Sequence, residues 1–179
     1  MKPAEVESAL ESMTLLVDTR EHPGHKLEKR VKISGLPYRR QKLDFGDYSA
    51  EITVDGVIVP FDHVVAIERK MDANELAMCF GQERQRFEKE FVRAQKKGAR
   101  LYLIVEDENI EKIYAGRYGS SEKYRSKFPP KALMGSILAW AARYGVHIMF
   151  CKGETSGKLI RDILYYEIRE RLLGEDESV

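Results

Sequence analysis

The run Val64-Val65-Ala66-Ile67-Glu68-Arg69-Lys70 places a carboxylate and an ammonium two positions apart at the end of an apolar, β-branched segment. Such a segment reads as a buried strand, and side chains two apart on a strand share a face. Glu68 and Lys70 are therefore expected side by side at the mouth of a sheet, with Arg69 on the opposite face. Asp47 follows Gly46 at the start of a second strand-like run, Tyr48 to Val54. Two carboxylates and a lysine suit phosphodiester hydrolysis: the acids hold a divalent cation and the lysine orients the attacking water. Charged residues also blunt ordinary strand ends, so Glu-x-Lys alone is a weak signal. A third run, Leu15-Leu16-Val17-Asp18-Thr19-Arg20-Glu21, again ends in acids and strengthens the reading of a site.

Taken in order, Val17-Asp18-x-Arg20-Glu21, Gly46-Asp47 and Ile67-Glu68-Arg69-Lys70 resemble the signature of the XPF-type structure-specific DNA nucleases. The resemblance covers roughly residues 14–173. It implies an α/β fold, a restriction-endonuclease-like sandwich with a central mixed β-sheet flanked by helices. It implies Mg²⁺ or Mn²⁺ as cofactor and cleavage of DNA near branches or flaps, in repair, recombination or phage replication. Metal-holding roles fall on Asp18, Asp47 and Glu68, and the water-orienting role on Lys70. Glu21 and Arg20 match motif positions with less defined roles. Arg69 belongs to the catalytic motif, although its face also suits pairing with a structural acid. A homodimer is a further expectation from the resemblance.

The chain departs from the family pattern in two places. The pattern continues Glu-Arg-Lys-x3-Asp, whereas Asn74 stands four residues after Lys70 and Asp72 lies two residues early. Asp72-x-x-Glu75 has its own explanation as a capping box opening a helix. The chain also offers no room for the tandem helix-hairpin-helix module of larger relatives, so a short stand-alone version of the bacterial and phage kind is expected. A rival reading is a catalytically silent DNA-binding or partner module on the same fold. Loss of the acids or the lysine would mark that state, and all four of Asp18, Asp47, Glu68 and Lys70 are present.

The 179 residues and 43% hydrophobic content fit one folded domain, divided here into an acidic leader 1–13, a nuclease domain 14–173 and an acidic tail 174–179. No apolar run reaches the length that spans a bilayer, and the amino-terminal residues lack the core of a signal peptide. An intracellular protein without a membrane partner is expected, cytoplasmic and nucleoid-associated in a bacterial or phage setting. With 30 basic and 29 acidic residues the net charge is near zero, but the charges are segregated. His22 to Leu43 carries Lys26, Lys29, Arg30, Lys32, Arg39, Arg40 and Lys42 against Glu28. Tyr114 to Lys131 interleaves Arg117, Lys123, Arg125, Lys127 and Lys131 with four aromatic residues. Cations beside metal-binding acids are what a phosphate backbone requires, so Arg20, Arg39, Arg40, Lys123, Arg125 and Lys127 are the expected DNA contacts, ahead of a solvated-loop reading.

The remaining elements follow from punctuation and periodicity. Pro23-Gly24 and Gly35-Leu36-Pro37 bracket a basic stretch read as loop or short strand. Asp55-Gly56 between two strand runs signals a hairpin. Asp72 to Lys97 reads as a helix interrupted at Gly81, Arg100 to Asp107 as a buried strand, and Pro130 to Tyr144 as an apolar helix holding Trp140 in the core or at a dimer interface. Val146 to Cys151 and Ser156 to Leu173 complete the set as strand and helix. Lys152 to Lys158 is not a phosphate-binding loop of the Walker type: three residues separate its glycines where four are needed, and Leu159 follows the lysine. His22 and His25 are read as loop residues rather than a metal pair.

Overall fold

A computed structural model of the chain describes residues 1–116 and 127–174. The order is α1 (Pro3–Glu11), β1 (Thr14–Asp18), α2 (His25–Ser34), β2 (Tyr38–Gln41), β3 (Tyr48–Val54), β4 (Val57–Pro60) and β5 (Val65–Lys70). There follow α3 (Ala73–Phe80), α4 (Arg84–Lys96), β6 (Arg100–Glu106), α5 (Ile110–Tyr114), α6 (Pro130–Tyr144), β7 (His147–Cys151) and α7 (Ser156–Gly174). The seven strands form one mixed sheet in the order β2-β1-β3-β5-β6-β7, with β4 paired to β3. The β1–β2, β5–β6 and β6–β7 pairs are parallel, and β3 runs antiparallel to β1, β4 and β5. This is the expected α/β sandwich with a central mixed sheet.

Alternation along the strands divides the core in two. Leu15, Val17, Tyr48, Ala50, Val65, Ile67 and Ile104 face one layer with α1, α2 and α7. Ala66, Leu101, Leu103 and Val105 face the other with α3, α4 and α6. The same alternation assigns Glu68 and Lys70 to the α3/α4 side and Arg69 to the α2/α7 side. Trp140 is 1% exposed and packs among Phe80, Phe87, Phe91 and Tyr144, which places it in the core. Helix α1 buries Val6, Ala9 and Leu10 in the same cluster as β1 and α7.

The stretch expected as loop or short strand contains helix α2 instead, followed by the short strand β2. Leu27, Arg30, Val31 and Ser34 are its buried residues. Their spacing is helical, but an arginine and a serine among the inward positions and lysines on the outer face conceal the apolar stripe. The hairpin is as expected: Asp55 and Gly56 both take positive φ, 51° and 77°, as a two-residue turn of that hand requires. The helical run expected over Asp72 to Lys97 with an interruption at Gly81 is two helices, broken at that glycine. Within the described residues no helix is long and apolar enough to cross a membrane.

Candidate active site

Asp47 reaches the site through Gly46, which has φ of +73°. A Cβ at Gly46 would lie 3.0 Å from Ala66 Cβ and 3.1 Å from the Ile67 carbonyl oxygen. The residue before the acid must therefore be small, because the chain crosses close above β5. The Asp47 amide donates to Ile67 O at 2.8 Å, and its carbonyl accepts from the Asp18 amide at 2.8 Å. Asp47 Oδ2 in turn accepts from the Arg69 amide at 2.8 Å. The acid is thus tied to β1 on one side and β5 on the other.

Asp47, Glu68 and Lys70 line one concavity of about 220 Å³ together with Arg20, Glu75, Arg86, Phe87 and Glu90. Lys70 Nζ donates to Glu68 Oε1 at 2.7 Å, stands 3.7 Å from Glu75 Oε1, and lies 5.0 Å from the Phe87 ring centre. Burial alone would lower the lysine's pKa, but Glu68 and Asp47 outweigh it and hold the ammonium well above its ordinary value. Burial pushes the Asp47 carboxyl well above its ordinary range, the charge of Glu68 adds to this, and Lys70 offsets part of it. The pocket therefore holds more negative charge than its lysine compensates.

Asp18 is fully buried beside this pocket, with both oxygens occupied. Oδ1 accepts from the Arg20 amide and Nε at 2.6 and 2.7 Å. Oδ2 accepts from Arg20 Nη2 at 3.1 Å and the Leu43 amide at 2.6 Å. Four donors use the four acceptor positions of a carboxylate. Burial would raise its pKa, but Arg20 and the Leu43 amide outweigh burial and hold Asp18 below its ordinary value. Arg20 extends from this pairing to Glu90 on α4 at 3.2 Å, so it bridges the β1 end to the helical wall of the pocket.

Glu21 and Arg69 lie on the other side of β5, in a buried network. Arg69 Nη1 donates to Glu106 Oε2 at 3.1 Å and Nη2 to Glu21 Oε1 at 3.4 Å. Arg30 of α2 donates from Nε and Nη2 to the two oxygens of Glu106 at 2.9 and 3.2 Å, and from Nη1 to Tyr48 Oη at 2.9 Å. Tyr48 Oη donates to Glu21 Oε1 at 2.9 Å. Arg30 and Glu106 escape a reading of the sequence because they are 76 positions apart. Two signals were present: Arg30 shares a helical stripe with Leu27, Val31 and Ser34, and Glu106 ends a buried strand.

The expected DNA contacts have separate surroundings. Arg39 forms a two-pronged pair with Glu51 at 2.7 and 2.6 Å. Arg40 donates to the carbonyls of Thr19 and Glu21 at 2.9 and 2.6 Å, fastening the turn after β1. Lys127 lines a groove of about 560 Å³ with Met78, Gly81, Gln82, Phe128 and Pro129. That groove includes Asn74, so the first turn of α3 separates it from the acidic pocket. Lys123 and Arg125 lie outside the described residues. Exposed Lys26 reaches the sulfur of Met71, next to Lys70, at 3.1 Å.

The donor set bears on the cation that the motif implies. Among the described residues no group of three or more His, Cys, Asp or Glu side chains converges as a metal site. Asp47 and Glu68 form a hard, oxygen-only pair in a crowded anionic pocket. Mg²⁺ is commonly held by one or two carboxylates with waters completing its shell, so the residues present fit it.

Comparison with known proteins follows the same lines. The fold is that of XPF from Aeropyrum pernix, with a TM-score of 0.62 and 18% identity over 92% of this chain and 69% of that one. The structure of XPF from Aeropyrum pernix in complex with DNA aligns with a TM-score of 0.58 and 19% identity, over 91% of this chain and 66% of that one. No curated protein matches the sequence. The profile of the ERCC4 domain matches residues 17–162, a span that contains Asp18, Asp47, Glu68 and Lys70, and the chain belongs to the ERCC4 domain family.

Proposed function

We propose that the chain is a Mg²⁺- or Mn²⁺-dependent endonuclease that hydrolyses DNA phosphodiester bonds at branched, flap or fork structures, in repair, recombination or phage replication. The observation that carries this reading is the convergence of Asp47, Glu68 and Lys70 in one pocket. The DNA complex of the Aeropyrum pernix protein supports DNA as the substrate class.

Asp47 and Glu68 would hold the cation, with the main-chain carbonyl beside Glu68 as a further ligand. Bound there, the ion would lower the pKa of a coordinated water and offset charge developing on the phosphate. Lys70 is a donor rather than a base, since its neighbours keep it protonated. Its N–H groups would orient the water and touch the scissile phosphate. Asp18 acts through Arg20: with its four acceptor positions filled, it fixes the guanidinium at the pocket wall. Arg20 and Arg86 then present cations at the mouth, 52% and 80% exposed, where phosphates flanking the cut would lie. Lys127 extends the cationic surface past α3, and Lys123 and Arg125 continue this proposed contact in sequence. The expected products carry 5′-phosphate and 3′-hydroxyl ends, and the working unit is a homodimer.

A panel of labelled linear, forked, flapped and nicked DNAs, incubated with Mg²⁺ or Mn²⁺, tests the reading. Metal-dependent cutting of a branched substrate, abolished by EDTA, is the expected result. Absence of cutting throughout the panel, together with DNA binding, would favour the silent-module alternative instead.

A further inference from the structure

Glu75 has a position that its capping-box spacing does not explain. Asp72 already caps α3, its Oδ1 accepting from the Asn74 and Glu75 amides at 2.8 and 2.9 Å. A closed box would have Glu75 reach back to the Asp72 amide. Glu75 Oε2 instead accepts from the Met71 amide at 2.7 Å. This contact turns Oε1 into the acidic pocket, where it stands 3.7 Å from Lys70 Nζ.

Lys70 is thus flanked by two carboxylates and one aromatic ring, and the carboxylates are not equivalent. Glu68 Oε1 makes the short contact at 2.7 Å. Under the proposed function, however, Glu68 is also a cation ligand, and oxygens committed to a cation are poor partners for an ammonium. A buried ammonium stripped of its anion is strongly unfavourable. Glu75 is held by the Met71 amide, stands in the first turn of α3 where negative charge is favoured, and has no three-acid cluster to join among the described residues. The flexible end of a lysine needs only a small movement to pass from one carboxylate to the other.

We infer that Glu75 is a positioning residue for the reaction: it takes over the Lys70 ammonium when the Glu68 carboxylate turns to the divalent cation. This rests on the metal-nuclease reading. In that arrangement Lys70 stays protonated and aimed at the water and phosphate while both motif acids serve the metal.

The test uses Glu75→Gln, which keeps an oxygen for the Met71 amide but removes the charge, beside Glu68→Gln and wild type. Mn²⁺ affinity by calorimetry should stay within about twofold in Glu75→Gln and fall sharply in Glu68→Gln. With a branched substrate, Glu75→Gln should lose about 10–100-fold in kcat with little change in KM, the loss associated with a mispositioned catalytic group. A second readout is independent of cleavage: the ¹H–¹⁵N signal of the Lys70 ammonium, assigned by its absence in Lys70→Arg. It should stay protected from solvent exchange in Mg²⁺-saturated wild type and lose that protection in Glu75→Gln. Loss of Mn²⁺ affinity equal to that of Glu68→Gln would make Glu75 a ligand and overturn the inference. Unchanged ammonium protection in Glu75→Gln would overturn it too, whether or not the wild type cuts DNA. Absence of cutting by wild type with the ammonium behaviour as expected would sink the nuclease reading alone.

Discussion

The two faces of β5 carry similar charged groups to opposite ends. On the α3/α4 side, Asp47 and Glu68 crowd one ammonium, and the Asp47 carboxyl is driven well above its ordinary value by burial and by Glu68. On the α2/α7 side, Arg30, Arg69, Glu21 and Glu106 balance two cations against two anions, with Tyr48 bridging. There burial would raise Glu106, but hydrogen bonds from Arg30 and Ser156 outweigh it and hold it below the ordinary range. One face is a balanced network and the other keeps an unmet demand for positive charge. A single strand, alternating in direction, gives an anchored side and a side ready for a ligand.

The largest expected effect breaks the front and spares the back. Asp47→Ala and Glu68→Ala should each nearly abolish cleavage, and Lys70→Ala should lower kcat about 10²–10³-fold, as loss of a preorganised donor does. Circular dichroism should show the fold retained in all three. Cleavage near wild type in Glu68→Ala would remove Glu68 from the site.

Damage to the back should appear as lost stability. Glu106→Ala leaves Arg30 and Arg69 buried without their shared anion, a change of about 3–5 kcal/mol. For a domain of this size each kcal/mol corresponds to about 2–4 °C in Tm. A urea midpoint close to wild type would show that the network does not anchor the strand.

The two faces should also respond to pH with opposite signs. Glu106 has a lowered native pKa, so its stabilisation is present above the ordinary carboxylate range and is lost as pH falls through the native value. Glu106→Gln should flatten that acid limb. Asp47 has a raised native pKa, so its contribution is present at low pH and is lost as pH rises through the native value. Metal-free Asp47→Asn should therefore be more stable than wild type at neutral pH, by about 0.5–2 kcal/mol, while failing to cut. A lower Tm in that variant would contradict the assigned repulsion.

The smallest expected effect concerns Asp72. Asparagine caps a helix about as well as aspartate, so Asp72→Asn should leave both Tm and cleavage near wild type. A large loss of cleavage at unchanged Tm would give Asp72 a catalytic part instead.

Much of the front face was legible in the sequence because it rests on local rules. Period-two alternation separates Glu68 and Lys70 from Arg69, and Gly46 marks the close crossing that delivers Asp47. The hairpin at Asp55-Gly56 follows from the positive φ that glycine adopts freely, and the break at Gly81 falls where a glycine interrupts the helical pattern. Of the back face only the turn of Arg69 towards a structural acid was legible, since the other partners come from α2, β3, β6 and the segment after β1 and meet only when the sheet is assembled. Helix α2 itself was hidden because its inward stripe includes Arg30, which reads as surface until Glu106 is opposite it. The second role of Glu75 was hidden for another reason: a capping spacing already explained it. The occupation of Asp18 depends on the Leu43 amide, 25 residues away, which no motif records.

Gly157 shows how far the tolerances of this site extend. A Cβ there would fall 2.2 Å from the Arg30 carbonyl oxygen, so α7 and α2 touch backbone to backbone at this point. One added methyl would lift α2 away from the sheet and draw the Arg30 guanidinium from Glu106. Glu106 would then keep Arg69, 3.1 Å away, and Ser156 as partners, with one of its two guanidinium groups gone. The clearance between two helices, set by a residue with no side chain, thus limits how closely the buried Arg30–Glu106 pair is held behind the sheet.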